Sequence, residues 1–345
     1  TNNFGRQFSF TNTLNYKNIF GDHALDILVG QEAIEYYYEG FGASRQNFLY
    51  DDPNFRYLDF GSENQINNGN ANGWALNSYF GRVNYKFAQK YLVTATVRRD
   101  GSSRFSGDNK WGTFPAFSLG WRLDKESFFN NEGVISSLLL RGSWGQTGNQ
   151  DIASYATVDS YRNNNANSNY PIDGSQGAVY TGLTQSRIPN PDLKWETTSQ
   201  TDIGIDLGLL DDKLNITADY YDKRTKDILV YRPVPITYGG TNDGQWVNDG
   251  EMKNIGVELN VDYADNIGDL GFDFNVNLTH SKNELTALTT SDYLSIPTSA
   301  LHTVNFDQEI SRSVVGQPIG SFFGYKADGL FQSQDEVNSH AVQPN

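Results

Sequence analysis

The sequence predicts an all-β protein: part of a transmembrane antiparallel up-and-down β-barrel, about ten strands of the wall, with long extracellular loops. The first observation is alternation. Tyr91, Val93, Ala95 and Val97 fall on one face of a strand and Leu92, Thr94 and Thr96 on the other, and this period of two recurs along most of the chain. The second is the rhythm of the connections, tight at Ala88 to Lys90 and Asp211-Asp212, long around Asp100 to Trp111 and from Lys226 to Lys253. Short turns on one side and long loops on the other are the layout of an outer-membrane barrel. The third is aromatic placement. Tyr85, Phe87 and Tyr91 bracket one tight turn, while Tyr16, Phe20, Phe128, Phe129 and Tyr263 lie near others, as girdles at the two water boundaries require.

Composition agrees with that class. The 345 residues contain no Cys, so disulfides and thiolate metal sites are excluded. Lys and Arg number 26 against 41 Asp and Glu, and the resulting charge of -15 argues against nucleic acid as a partner. The densest apolar patch, Val134 to Leu140, is interrupted by Ser136 and Ser137, so the chain lacks the roughly 18-residue apolar run of a membrane helix. A mean hydropathy of -0.56 does not oppose a barrel, which shows lipid only alternate side chains. The chain starts at Thr1 without a leader, and is read as an internal fragment with any export signal upstream.

Taken in order, the first expected pair is Arg6 to Tyr16 with His23 to Tyr38. There the apolar set shifts from Leu25, Ile27 and Val29 toward Ile34 and Tyr36, which points to a bulge. A long polar segment, Glu39 to Gly73, separates it from a hairpin of Leu76 to Phe87 and Tyr91 to Arg99. Next come a strand with Phe117, Leu119 and Trp121 outward, then Leu138 to Gln146, then a long irregular segment from Thr147 to Lys194. Two clean hairpins follow. Ile203, Ile205 and Leu207 turn into Leu214, Ile216, Ala218 and Tyr220, and Ile255 to Tyr263 is answered by Phe272, Phe274, Val276 and Leu278 over a polar opposite face. A soluble sandwich also alternates, but without the strict short-long rhythm.

Several segments resemble the SusC/RagA family of TonB-dependent outer-membrane transporters of Bacteroidota. They are Arg98-Arg99-Asp100-Gly101-Ser102-Ser103-Arg104-Phe105, Trp111 through Arg122, Leu140 through Gln150, Asn190-Pro191-Asp192-Leu193-Lys194-Trp195-Glu196, Asp219 through Asp227, and Gly320 through Tyr325. They run in order along nearly the whole chain. The resemblance implies active import of oligomeric nutrients, glycans or peptides, through a plugged barrel in the Gram-negative outer membrane. It also implies a SusD-like surface lipoprotein as cap and the TonB complex as motor, acting through a plug region. Residues 1–345 are read as part of one such barrel domain, with the plug and the closing strands expected outside the chain. Rival readings are an adhesin or assembly barrel and a soluble all-β glycan-binding module.

Site chemistry points to binding rather than catalysis. The carboxylate pairs Asp51-Asp52 and Asp211-Asp212 have no base or nucleophile at a defined separation, and the second sits where Asp forms turns. His23, His280, His302 and His340 are scattered without ligand spacing. Asp243-Gly244 and Asn248-Asp249-Gly250 read as turns, lacking the twelve-residue calcium-loop pattern. No catalytic residue, metal site or cofactor is therefore expected. Arg98, Arg99 and Arg104 around Asp100 read as a loop anchor, through pairing with acidic neighbours. The loop aromatics Tyr155, Tyr161, Tyr170, Tyr180, Tyr238 and Trp246 are the candidates for contact with an oligosaccharide or peptide substrate, or with the capping partner.

Overall fold

In the computed structural model, ten antiparallel strands form one sheet in which each strand is bonded to its sequence neighbour. They are β1 (Asn2–Phe20), β2 (His23–Phe48), β3 (Gly61–Phe87), β4 (Tyr91–Ser102), β5 (Trp111–Arg122), β6 (Ile135–Asn149), β7 (Glu196–Leu209), β8 (Leu214–Lys226), β9 (Glu251–Ile267) and β10 (Leu270–Ala287). The structure describes all residues except 51, 130–132, 163–169, 172–178, 181, 233, 235–243, 290–292, 296–310, 325, 327–328 and 341–345. Tyr238, Asp51, Asp243 and His302 thus lie outside the described residues. Beyond β10 the described chain adds three short paired strands and one helical turn and a half, Gln334–Ser339.

Register assigns every side chain to a face, because residues directly opposed in an antiparallel pair share one. Tyr91 opposes Trp121, Val93 opposes Leu119 and Ala95 opposes Phe117; Phe117 in turn opposes Trp144. Across the later strands Ile205 opposes Ala218, Ala218 opposes Leu259, and Leu259 opposes Leu278. These apolar rows are largely exposed: Phe117, Leu119, Ile203, Val257 and Leu278 all face outward with no protein over them. The other face carries the polar rows Asp26, Asn84 and Thr94, then Ser143, Asp202 and Tyr221. An apolar exterior and a polar interior invert the soluble pattern, and lipid is the solvent that permits it.

The sheet curls toward its polar face. Lys17 and Asp26 of β1 and β2 line the same hollow, about 730 Å³, as Arg141 and Asp202 of β6 and β7. Trp111 and Trp121 stand ten residues apart on the outer face of β5. At about 3.3 Å per residue and a tilt near 40°, that spacing lifts one ring about 25 Å above the other, the height of the apolar band of such barrels. At the lower boundary the girdle is nearly continuous. Phe20 stacks on His23 at 5.3 Å, His23 approaches Phe87 at 4.9 Å, and Phe87 approaches Tyr91 at 6.3 Å.

Tight turns close this lower edge. Gly21 and Gly268, with φ of +59° and +60°, supply the left-handed backbone that the β1–β2 and β9–β10 turns require. At the opposite edge the structure corrects several boundaries. The polar segment from Glu39 to Gly73 is not irregular: β2 and β3 continue as a paired hairpin as far as Phe48 and Gly61. Its Asn- and Gly-rich sequence hides the strands because neither face of that arm meets lipid or core, so no alternation is needed. The shift of apolar residues at Ile34 and Tyr36 involves no bulge there, since β1 and β2 pair without interruption from Asn2 opposite Phe41 to Phe20 opposite His23. What changes is the face. Ile34 opposes Leu76 and Tyr36 stacks on Trp74 at 5.9 Å, on the inner side beneath the loops. The only register shift between β2 and β3 lies farther out, at Ser44/Gln46. Asp100 also belongs to β4 rather than to a loop.

Candidate functional site

Three loops rise from the upper edge: 103–110 between β4 and β5, 150–195 between β6 and β7, and 227–250 between β8 and β9. They share the buried core of the molecule. Phe105, Phe114, Ile152, Ala156, Leu193 and Trp195 form one cluster, with Leu76, Leu229 and Trp246 packed around it. Trp195 sits 5.3 Å from Phe105 and 5.4 Å edge-on to Phe114, so one ring joins the first loop, the second loop and the wall. Burying these rings is favourable even though the strands below bury almost nothing from lipid.

Hydrogen bonds tie the same loops at their polar ends. Ser106 Oγ donates to the Pro191 carbonyl at 2.9 Å and Asn109 Nδ2 to that of Asp192 at 3.0 Å. Asn190 Nδ2 donates to the Trp246 carbonyl at 2.9 Å, and Asn248 Nδ2 reaches the carbonyls of Lys194 and Asp227 at 2.8 and 2.9 Å. The loops therefore form one platform rather than three separate flaps. Within the second and third, short two-stranded pieces add order: Ser160–Arg162 with Thr184–Arg187, Tyr170–Pro171 with Val179–Tyr180, and Leu229–Arg232 with Gln245–Asn248. Tyr161, Tyr170, Tyr180 and Trp246 accordingly lie on short strands, although sequence alternation marks none there.

The candidate rings are not equivalent. Tyr155, Tyr161 and Tyr180 are exposed, at 59%, 61% and 53%. Trp246 instead packs against the loop core, 5.6 Å from Tyr231. Tyr170 pairs with Tyr180 along the backbone. The arginines divide as well. Arg98 faces inward, bonding Asp100 at 2.8 Å, Glu32 at 3.0 Å and Ser78 at 2.9 Å. Arg104 donates to the Gln150 carbonyl at 3.1 Å and to Asp151 at 3.0 Å, and lies over the Trp74 ring at 5.3 Å. Arg99 points to the opposite, outer face and covers Trp111 at 5.4 Å. The reading of Arg98, Arg99 and Arg104 as one cluster is thus split across two faces, as adjacent strand positions must be.

Sequence reasoning passed over Phe105, Leu193 and Trp195 as site residues. The signal was present in the Asn190-Pro191-Asp192-Leu193-Lys194-Trp195 run, where two apolar residues sit in a polar loop. Below the platform the inner wall is polar, with Arg141 bridging Asp206 at 3.1 Å and Asp219 at 2.7 Å. Along β6–β10 the inner face carries Asp202, Asp206, Asp219, Glu258, Asp262 and Asp273 against Arg141 and Lys223.

An apolar belt of about 25 Å, aromatic boundaries, a polar lumen and tethered loops at one edge define a segment of an outer-membrane β-barrel wall. The sequence matches the family described as TonB dependent receptor-like, beta-barrel, over residues 1–330, and the chain belongs to that family. It is 35% identical over 93% of its length to TonB-dependent receptor P3 of Formosa agariphila, covering 31% of that protein. It is 33% identical over 92% of its length to TonB-dependent receptor SusC of Bacteroides thetaiotaomicron, again covering 31%. Among solved structures it resembles the RagAB peptide transporter, with a TM-score of 0.79 and 28% identity over 93% of this chain and 33% of that one. The SusC/RagA resemblance and the outer-membrane location are borne out. The chain spans about a third of the length of these relatives.

Proposed function

We propose that this chain is the wall and loop portion of an outer-membrane importer of oligomeric nutrients, glycans or peptides, driven by the TonB complex and capped by a SusD-like surface lipoprotein. The observation that carries the reading is the loop platform: a buried core and hydrogen bonds join three loops above a polar lumen, and the second of those loops exposes the rings of Tyr155, Tyr161 and Tyr180. Exposed aromatic rings can cover the apolar faces of sugars or side chains. SusC and a peptide transporter among the relatives support import, with both cargo classes open. The carboxylate-rich inner face of β6–β10 favours neutral or cationic oligomers, because a polyanion would meet like charge in a low-dielectric wall.

The test uses the full-length transporter in its host. Replacing Tyr155, Tyr161 and Tyr180 by Ala should lower capture of the cognate oligomer, or of the lipoprotein, by about five-fold or more per ring that stacks, with the barrel level unchanged. Wild-type uptake together with wild-type lipoprotein pull-down would remove the loops from the mechanism.

A further inference from the structure

We propose that the inner face of the β1–β3 arm is a binding shelf for a neutral oligosaccharide, an inference that rests on the import reading and names its cargo class. The row of Phe10, Ala33, Asn77 and Gly101 runs across the sheet to Trp111, the upper girdle ring, so the arm from Ile34 outward stands above the apolar band. Its lumen side presents the rings of Tyr36, Tyr38 and Trp74 among the amides of Asn3, Asn70 and Asn72. Charge is sorted between the two faces. Arg6, Glu35 and Glu39 all belong to the outer face, and the first charge below Ile34 on the lumen side, Glu32, is already paired with Arg98 at 3.0 Å.

The polar groups of the shelf converge. A Cβ placed on Gly40 would lie 2.8 Å from Asn70 Oδ1, 2.9 Å from the Tyr38 hydroxyl and 3.0 Å from Asn3 Oδ1, so glycine is what lets these three groups gather against the backbone. Among the described residues, Asn3, Tyr38 and Asn70 have no side-chain hydrogen-bond partner. Each amide both donates and accepts, as does a phenol, and sugar hydroxyls require that same pairing beside a ring that covers an apolar face. A uronate or a charged peptide would bring a charge that nothing on the shelf pairs. The shelf also leads into the loop platform. Arg104 lies over Trp74 at 5.3 Å while bonding the Gln150 carbonyl and Asp151, and Leu76, next on the same face, packs against the loop core.

The experiment uses the purified full-length transporter, offered an equimolar mixture of neutral oligosaccharides, uronic-acid oligosaccharides and short peptides, with the bound species read by mass spectrometry after size exclusion. We expect neutral oligosaccharides to be retained. Retention should fall about five-fold for each ring removed in Tyr36→Ala and Tyr38→Ala, while Tyr37→Ala on the outer face of the same strand leaves it unchanged. Heat-modifiable migration on gels checks that each variant has folded. Retention of uronic-acid oligosaccharides or peptides in place of neutral sugars, or of neutral sugars equally by wild type and both inner-face variants, would overturn the shelf and leave the import reading standing. Retention of nothing would overturn it as well, and uptake of the same mixture by cells carrying the wild type decides separately whether the import reading falls with it.

Discussion

Glu126 shows how single residues hold the lower boundary. Its carboxylate accepts from the Tyr91 hydroxyl at 2.7 Å, the Lys90 ammonium at 3.0 Å and the Trp121 indole at 3.1 Å, joining two turns through the girdle. Those donors, the Tyr91 hydroxyl foremost, push its pKa down to about 2. An unfolded Glu titrates near 4.3, so the folded state prefers the ionised form. The associated stabilisation is complete above about pH 5 and is lost as pH falls from there toward 2. Thermal melts of the full-length protein in detergent between pH 6 and 3 should therefore decline more steeply for wild type than for Glu126→Gln. Parallel declines would show that this carboxylate is not the titrating clamp. In the loops, Trp195→Ala removes the ring shared by Phe105 and Phe114 and should cost about 3–5 kcal/mol locally. Limited proteolysis should then cut loops 103–110, 150–195 and 227–250 together. Cleavage confined to the second loop would mean that the three do not form one platform.

At the scale of the strand, the two faces make opposite demands on the same residue type. Val257 is half exposed on the lipid side, opposite Tyr220 and His280, whereas Asn260 lies on the lumen side between Thr217 and Asn277. Arg at position 257 should lower the assembled level of the full-length protein far more than Arg at position 260, since the lipid-face penalty is about 2 to 4 kcal/mol near mid-membrane. Equal yields, read by heat-modifiable migration on gels, would break the register. The alternation of Ile255 to Tyr263 made β9 legible because lipid enforces a strict period of two. The same logic explains the failure over Glu39 to Gly73, where the β2–β3 arm passes above the membrane and loses that constraint. The loop platform was only partly readable: Tyr155 and Trp246 look alike in sequence, and only packing separates an exposed ring from one held by the core.

For the whole molecule, the decisive fact is that the sheet has ends. Ten strands run from β1 to β10, and among the described residues neither edge strand pairs with a further strand of the wall, although Leu285 near the upper end of β10 exchanges backbone bonds with Gly316 and Gln317. The plugged transporters of this architecture need about 22 strands, so the curl described here encloses less than half a circumference. Each free edge carries a row of backbone N–H and C=O groups, and β1 alone spans 19 residues, all exposed. In hydrocarbon every unpaired group costs several kcal/mol, and water offers no shelter for the apolar outer face. Residues 1–345 expressed alone should therefore refold in detergent only as heterogeneous, edge-paired aggregates. On the proposed reading, adding the strands that complete such a barrel should give a single heat-modifiable monomer. Size-exclusion chromatography with limited proteolysis distinguishes the outcomes, and a monodisperse, protease-resistant product from residues 1–345 alone would require the two edges to find each other, closing a ten-stranded barrel too narrow for the lumen that the transport reading demands.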